Sequence, residues 1–250
     1  MKSKYVTPIF IVIIWQILSG TGIIPWQKLP SPFQIISGLT ELVTVGLPPG
    51  YTLPRHILES VIRVMIGFSI AGALGIAGGL VFGWWSRLRE LFLIPIEMVR
   101  PIPPLAWIPI AILWFGIGIK SAVFIIFLGA FFPILFNTLL GVLSVGKIFI
   151  EASRVLGAKE KDIFLKVLIP GATPSIMMGL RIGVGIGWMS LVAAEFTGIK
   201  SGYGLGYMIM VARDIQRPDQ ILAGMGMIGA TGYLLNGILR MIEKRILKWV

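Results

Sequence analysis

Runs of about 20 predominantly apolar residues recur along this chain of 250 residues, and no other feature of the sequence restricts its fold as strongly. Only 13% of the residues are charged and the mean hydropathy is +0.90, whereas soluble domains carry roughly 25% charged residues. Inside a bilayer, every backbone amide must find its hydrogen-bond partner within the protein, so apolar runs of this length cross it as helices. The sequence therefore predicts an all-α membrane protein.

About six transmembrane helices are predicted, with boundaries at charged or proline-rich residues. The first apolar run is long for the core of a signal peptide and lacks a small-residue cleavage site, so we interpret it as a retained span. A loop broken by six prolines follows it at residues 25–56, and one short amphipathic helix is predicted there between Ser31 and Val45. The predicted spans are residues 7–24, 57–82, 91–115, 121–142, 175–196 and 219–240.

Lysine and arginine residues are distributed unevenly between the predicted loops. With the N-terminus inside, thirteen of the 22 lie on the inner side, six lie on the outer side and three lie within spans. Cytoplasmic loops carry an excess of Lys and Arg, so this distribution predicts an N-in/C-in orientation with the loop at 143–174 in the cytoplasm. It also explains the net charge of +11 by membrane topology and anionic-lipid attraction rather than by nucleic-acid binding.

The third predicted span is interrupted at residues 100–104, Arg-Pro-Ile-Pro-Pro. Prolines lack the amide donor and clash with preceding carbonyls, so a regular helix cannot pass through this point. Broken helices with ionisable groups line substrate pathways in many transporters; a kinked helix with a Glu97–Arg100 pair near the headgroups is the alternative.

Other charged residues also lie within or beside the predicted spans. Arg63 and Arg181 lie about six residues inside their spans, roughly 9 Å deep, where they either snorkel to the nearer surface or line a cavity that favours an anion. Glu195 is expected near the outer face, exposed to solvent. The candidate residues of a translocation pathway are Glu97, Arg100, Pro103, Trp107, Arg181 and Glu195.

Glycines recur at four-residue spacing in the second and fifth predicted spans. Small residues at this spacing let helices approach closely in lipid. They indicate either ordinary helix packing or a face on which helices or a second subunit must slide. These residues are Gly75, Gly79 and Gly83 in the second span and Gly179, Gly183 and Gly187 in the fifth.

Two glycine-rich sequences match nucleotide-binding patterns only superficially. Residues 141–147 satisfy GxxxxGK, but Ile148 stands where a Ser or Thr would hold magnesium. Residues 224–229 satisfy GxGxxG, but they lie in an apolar span with no preceding strand. The chain has no Cys and one His, so no catalytic residue, metal site or directly bound cofactor is predicted.

The charged stretch at residues 151–170, EASRVLGAKEKDIFLKVLIP, separates two apolar runs. Two short amphipathic helical patterns lie on either side of Gly157, whose backbone freedom permits a turn between them. We expect Glu151 in the first turn of the first helix and Pro170 at the end of the second. The apolar face of the first pattern comprises Ala152, Val155 and Leu156.

This stretch resembles the "EAA" loop found in permease subunits of binding-protein-dependent ABC importers. Glu151, Ala152, Gly157 and Pro170 match the family pattern in register, and Ser153 replaces its second alanine. In that family the loop is cytoplasmic and docks into a groove on the ATPase subunit. An amphipathic loop lying on the membrane surface is the simpler alternative.

The resemblance extends from about residue 29 to the end of the chain. Several stretches are similar to the branch that imports nitrate, sulfonates, taurine and bicarbonate. They include residues 100–109 (RPIPPLAWIP), 114–118 (WFGIG), 179–181 (GLR) and 204–207 (GLGY).

The resemblance implies a type I ABC importer permease fold in the cell (inner) membrane. Residues 1–56 would hold the first transmembrane helix and the external loop, and residues 57–250 would form the core transmembrane permease domain with its cytoplasmic coupling loop at 143–174. The implied partners are two ABC ATPase subunits that carry ATP and Mg, an extracytoplasmic substrate-binding protein, a second permease copy and the lipid bilayer. The implied ATPase-coupling residues are Glu151, Ala152, Ser153, Gly157, Ala158 and Pro170.

A small anion is the substrate that this branch implies, although similar permeases import vitamin precursors or flavin-like compounds. ATP hydrolysis is expected in the partner subunit, so this chain is expected not to be an enzyme. The alternative hypothesis, from another functional class, is an ion-coupled secondary transporter or channel, which would need no ATPase. Its coupling charges would be Glu97, Arg100, Arg181 or Glu195.

Overall fold

The computed structural model describes residues 6–197 and 202–247, and within these ranges the secondary structure is helical throughout, with no strand. A 3-10 turn at Pro104–Trp107 precedes α5, and a π turn at Phe164–Leu168 precedes α9. The α-helices are α1 (Val6–Gly20), α2 (Pro32–Thr44), α3 (Leu53–Trp84), α4 (Ser86–Val99), α5 (Ile108–Phe115), α6 (Ile119–Ser144), α7 (Lys147–Val155), α8 (Glu160–Ile163), α9 (Ile169–Phe196), α10 (Leu205–Asp214) and α11 (Pro218–Ile246).

Among the described residues, four helical segments are long and apolar enough to cross a membrane: Leu53–Trp84, Ile119–Ser144, Glu160–Phe196 and Pro218–Ile246. The α4 and α5 segments meet that requirement only together, which gives a fifth if they form one span. Helix α1 has 15 residues, or about 22 Å, and is short for a hydrocarbon core of roughly 30 Å. The described residues thus provide four or five such spans, and the total of six and the orientation stay predictions.

The predicted interruption of the third span is confirmed. Helix α4 ends at Val99, and the chain bends by 85° before α5 begins at Ile108. Pro103 has the extended backbone (φ −61°, ψ 141°) that a residue before proline favours, and Pro104 then opens the 3-10 turn. The bend therefore follows from the proline sequence itself.

The predicted amphipathic helix in the loop after α1 is also confirmed, to within a residue at each end. The hydroxyl of Ser31 accepts the Gln34 N–H at 3.3 Å, and the Gln34 side chain accepts the Ser31 N–H at 2.8 Å. This reciprocal capping satisfies two amides that would otherwise lack partners at the start of α2. Pro32 occupies the first helical position, where its missing N–H costs nothing.

The chain forms two compact units, one of Met1–Val61 with Glu195–Thr231 and the other of Ile62–Ala194 with Gly232–Val250. In the second unit, α6 is the central helix, and its buried residues include Ile126, Ile134 and Leu135. Both predicted glycine rows pack against it.

The glycines of α3 and of α9 approach the side chains of α6 closely. A Cβ atom placed on Gly79 would lie 2.5 Å from the Cβ of Thr138, and one on Gly183 would lie 2.9 Å from Ile134. Gly179 similarly faces Asn137. Since only a hydrogen fits at these contacts, the glycine rows serve close helix packing within the chain, which was the simpler of the two interpretations.

Candidate functional site

The stretch that contains the predicted coupling residues folds as two helices joined at Gly157. Helix α7 begins at Lys147, four residues earlier than expected, so Glu151 lies in its middle and not in its first turn. Gly157 adopts φ +81°, a conformation that side-chain-bearing residues rarely adopt, so the predicted turn is confirmed. Ala158 closes the turn by donating its N–H to the carbonyl of Ser153 at 3.0 Å.

Pro170 does not end the second helix, so that prediction is wrong. The helix runs from Glu160 to Phe196 without a break. The π turn explains this result, because the Ile169 N–H reaches back five residues to the carbonyl of Phe164. Widening the helix by one residue accommodates a proline that cannot donate to the ladder.

The apolar face of α7 is uncovered. Ala152 is exposed, and the exposed fractions of Val155 and Leu156 are 89% and 86%, higher than for any other large apolar side chain described. Ile148, one turn before Ala152, is also exposed. Exposed apolar patches bounded by charge mark interaction sites, and other residues of α7 line a charged cleft.

That cleft has a volume of about 460 Å³ and lies between α7, α8 and the ends of α3 and α6. Lys147, Glu151, Arg154 and Glu160 line it together with Trp84. Arg154 donates two hydrogen bonds to the Glu160 carboxylate at 2.9 and 3.3 Å, and this contact raises the pKa of Arg154. The negative charge of Glu151 contributes to the same shift, and its side chain is exposed.

Of the candidate pathway residues, Arg100 lies in a cavity of about 360 Å³ in the second unit. It is the one charged residue among those lining the cavity, and its guanidinium lies 4.6 Å from the centre of the Phe136 ring. No ion pair joins Arg100 to Glu97 within the described ranges, and both side chains are exposed. The pairing of Glu97 with Arg100 that the sequence suggested is therefore not observed. The other lining residues are Ile102, Pro104, Leu128, Gly129, Phe132, Pro133, Asn137, Ile182 and Ile186.

The remaining pathway candidates of the second unit lie apart from that cavity. Trp107 packs edge-to-face against Phe124, with ring centres 6.4 Å apart. Arg181 pairs with Glu243 at 3.1 Å. The structure therefore brings neither Trp107 nor Arg181 into the Arg100 cavity, although Pro103 directly precedes one of its lining residues, Pro104.

Glu195, in the first unit, is fully buried, so the expectation that it is exposed to solvent near the outer face is wrong. Its Oε1 accepts the Ser60 hydroxyl at 2.8 Å, and its Oε2 accepts the Gly206 N–H at 2.8 Å. Ser60 in turn accepts the N–H of Leu205 at 2.9 Å. These contacts satisfy amides at the start of α10, where a carboxylate also interacts favourably with the helix dipole.

His56 completes this group, which sequence reasoning did not assemble. Its Nδ1 accepts the Gly204 N–H at 2.9 Å, and its Nε2 lies 3.1 Å from the carbonyl oxygens of Leu47 and Tyr51, to which it donates in the tautomer that carries the proton on Nε2. We call His56, Ser60 and Glu195 the α10 clamp. Arg63 is also fully buried, so of the two interpretations of this residue the one in which it snorkels to the surface is wrong.

A second network in the first unit joins α2 to the start of α11. Arg217 donates to Glu41 and, at 2.8 Å, to Asp219. The hydrogen bond from Arg217 is the largest cause that holds the pKa of Glu41 below its ordinary value. The contact therefore stabilises the fold at pH values above the ordinary pKa of a glutamate. This stabilisation is lost as the pH falls through the lowered pKa of Glu41. Glu41 and Arg217 lie 176 residues apart, and no local signal could have paired them.

A family model and similar proteins of known sequence both relate this chain to transport permeases. Residues 64–248 match the family described as the inner membrane component of binding-protein-dependent transport systems. The chain is 42% identical to a putative ABC transporter permease protein of Methanocaldococcus jannaschii, over 98% of this chain and 91% of the relative.

Two further relatives carry substrate names. A putative aliphatic sulfonates transport permease protein of Bacillus subtilis is 37% identical, over 97% of this chain and 85% of the relative. The taurine transport system permease protein of Escherichia coli is 36% identical, over 94% of this chain and 85% of the relative. Among solved structures, a chain of the MetNI methionine ABC transporter has a similar fold, with a TM-score of 0.56, 21% identity and coverage of 75% of this chain and 96% of that one.

Proposed function

Because the chain belongs to the family of inner membrane components of binding-protein-dependent transport systems, we propose that it forms the substrate pathway of an ABC importer and couples it to separate ATPase subunits. The relatives are transport permeases and not enzymes. The observation that carries the coupling proposal is the uncovered apolar face of α7 beside the charged cleft that contains Glu151. Apolar anchors surrounded by charge are what a specific protein partner recognises.

Alternating access is the mechanism we propose. ATP binding would close the two partner ATPases, and α7 and α8 would move with them, since they would contact the two ATPase states differently. The continuous helix from Glu160 to Phe196 would then carry that movement into the membrane, because no flexible loop interrupts it. Substrate delivered by an extracytoplasmic binding protein would pass inward between two permease copies.

Co-purification tests this proposal directly. The chain, extracted from its native host in mild detergent, is expected to carry an ATPase subunit in equal ratio, identified by mass spectrometry. If a binding protein is isolated with this complex from the same host, the ligand that it binds identifies the substrate. A stable complex that lacks an ATPase and still transports after reconstitution would overturn the proposal and favour an ion-coupled transporter.

A small organic or inorganic anion is the proposed substrate. Two of the most similar relatives are named for sulfonates and taurine, which carry a sulfonate group. Arg100 supports this proposal from the structure, since it supplies the positive charge of an otherwise uncharged cavity at a broken span. Helix breaks of this kind place polar groups where a substrate can reach them.

We expect Arg100→Gln to reduce uptake of that anion at least about tenfold, because a charge-assisted hydrogen bond contributes roughly 1.5–3 kcal/mol. Arg100→Lys should retain a large part of the activity, since the charge remains. The measurement is the initial rate of uptake into proteoliposomes that contain the complete complex, with the ligand of the co-purified binding protein. Lys120→Gln, which removes an exposed charge at the start of α6, is the control. Equal rates for Arg100→Gln and the control would exclude Arg100 from the pathway.

A further inference from the structure

A basic cleft in the second unit takes no part in the coupling or the pathway proposed above. It has a volume of about 420 Å³ and lies where α9 passes the C-terminal end of α11. Its lining residues are Arg181, Arg240, Glu243, Lys244 and Leu247. Three cations and one carboxylate leave the cleft with two excess positive charges.

The single carboxylate of the cleft is already engaged. Glu243 accepts from Arg181 at 3.1 Å, and both side chains are partly buried. Arg240 and Lys244 are exposed, and no ion pair within residues 6–197 and 202–247 involves them. The Arg181–Glu243 pair thus forms the floor of the cleft, and the two exposed cations form an electropositive rim.

Apolar side chains border the cleft on both helices. Met178 lies one turn before Arg181 on α9, and Met241 lies one turn before Lys244 on α11. Both are exposed, and the apolar Leu247 lines the cleft itself. A ligand that is anionic at one end and apolar along the rest of its length matches both the excess positive charge and this apolar border.

We propose that this basic cleft binds the phosphodiester headgroup of an anionic phospholipid, with the acyl chains lying on the adjoining apolar surface of α9 and α11. Basic pockets between membrane helices recognise such headgroups, and each Lys or Arg near an anionic surface contributes roughly 1 kcal/mol. Arg240 and Lys244 contact the phosphate, while Arg181 is held in place by Glu243. The site is independent of the substrate and of the ATPase.

Native mass spectrometry of the purified protein tests this site. Delipidated protein is mixed in detergent with phosphatidylglycerol or phosphatidylcholine at equal concentration, and the bound lipid is counted. We expect one phosphatidylglycerol per chain, retained at least about fivefold better than phosphatidylcholine, and its loss in Arg240→Gln/Lys244→Gln. The control Lys159→Gln/Lys161→Gln removes the same charge from exposed positions on the α7–α8 side and should bind as the unmodified chain does.

Two results would overturn the proposal. One is equal retention of phosphatidylglycerol by the cleft variant and the control variant. The other is displacement of the lipid by millimolar inorganic phosphate, which would indicate a site for a free phosphate. Since Arg240 and Lys244 are exposed, their substitution leaves the packing intact, and size-exclusion chromatography verifies this for each variant.

Discussion

Replacement of Val155 and Leu156 by aspartate is expected to abolish ATP-driven uptake while leaving the stability of the chain unchanged. Both side chains are almost fully exposed, so the folded chain loses no packing. In the proposed complex, however, they would be anchors on the ATPase, and burying two charges in their place costs at least about 2–4 kcal/mol of binding free energy. That corresponds to a loss of roughly 30-fold or more in affinity.

The measurement has two parts, ATPase retention during purification and uptake into proteoliposomes. Ile215→Asp, which places a charge at an exposed apolar position after α10, should retain both. Glu151→Arg tests the charged cleft separately and should weaken ATPase binding without affecting the fold, since Glu151 is exposed. Wild-type uptake by the double aspartate variant at normal expression would exclude α7 as the coupling surface.

Features set by neighbouring residues could be predicted from the sequence. The start of α2 follows from Ser31 and Gln34, which cap each other three residues apart. The bend between α4 and α5 follows from consecutive prolines, and the turn between α7 and α8 follows from Gly157. In each case the backbone geometry is determined within one or two turns of chain.

Features set by distant partners could not be predicted in the same way. Glu195 and Ser60 lie 135 residues apart, and depth along a predicted span could not show that a carboxylate near its end would be buried. The π turn before Pro170 has no strong local signal either, because a proline usually ends a helix. The roles of Glu97, Arg100 and the coupling residues stay predictions, since they depend on partners outside this chain.

Gly204→Ala is expected to destabilise the protein by about 3 kcal/mol or more. Gly204 adopts φ +150°, in a region that is essentially restricted to glycine. An added Cβ would also lie 2.6 Å from the Cδ of Glu195, whose carboxylate is fixed by Ser60 and Gly206. The strain and the overlap each cost roughly 1–3 kcal/mol. The measurement is the midpoint of thermal or denaturant unfolding in detergent.

Gly50→Ala separates the two contributions. Gly50 has φ +88°, and no atom lies within 4 Å of an added Cβ, so its replacement imposes strain without overlap and should cost only about 1–2 kcal/mol. The overlap contribution depends on Glu195 itself. Gly204→Ala introduced into a Glu195→Ala background should therefore cost less than in the unmodified chain, because only the backbone strain of about 1–3 kcal/mol remains. If Gly204→Ala costs the same in both backgrounds, the α10 clamp is not what restricts this position to glycine.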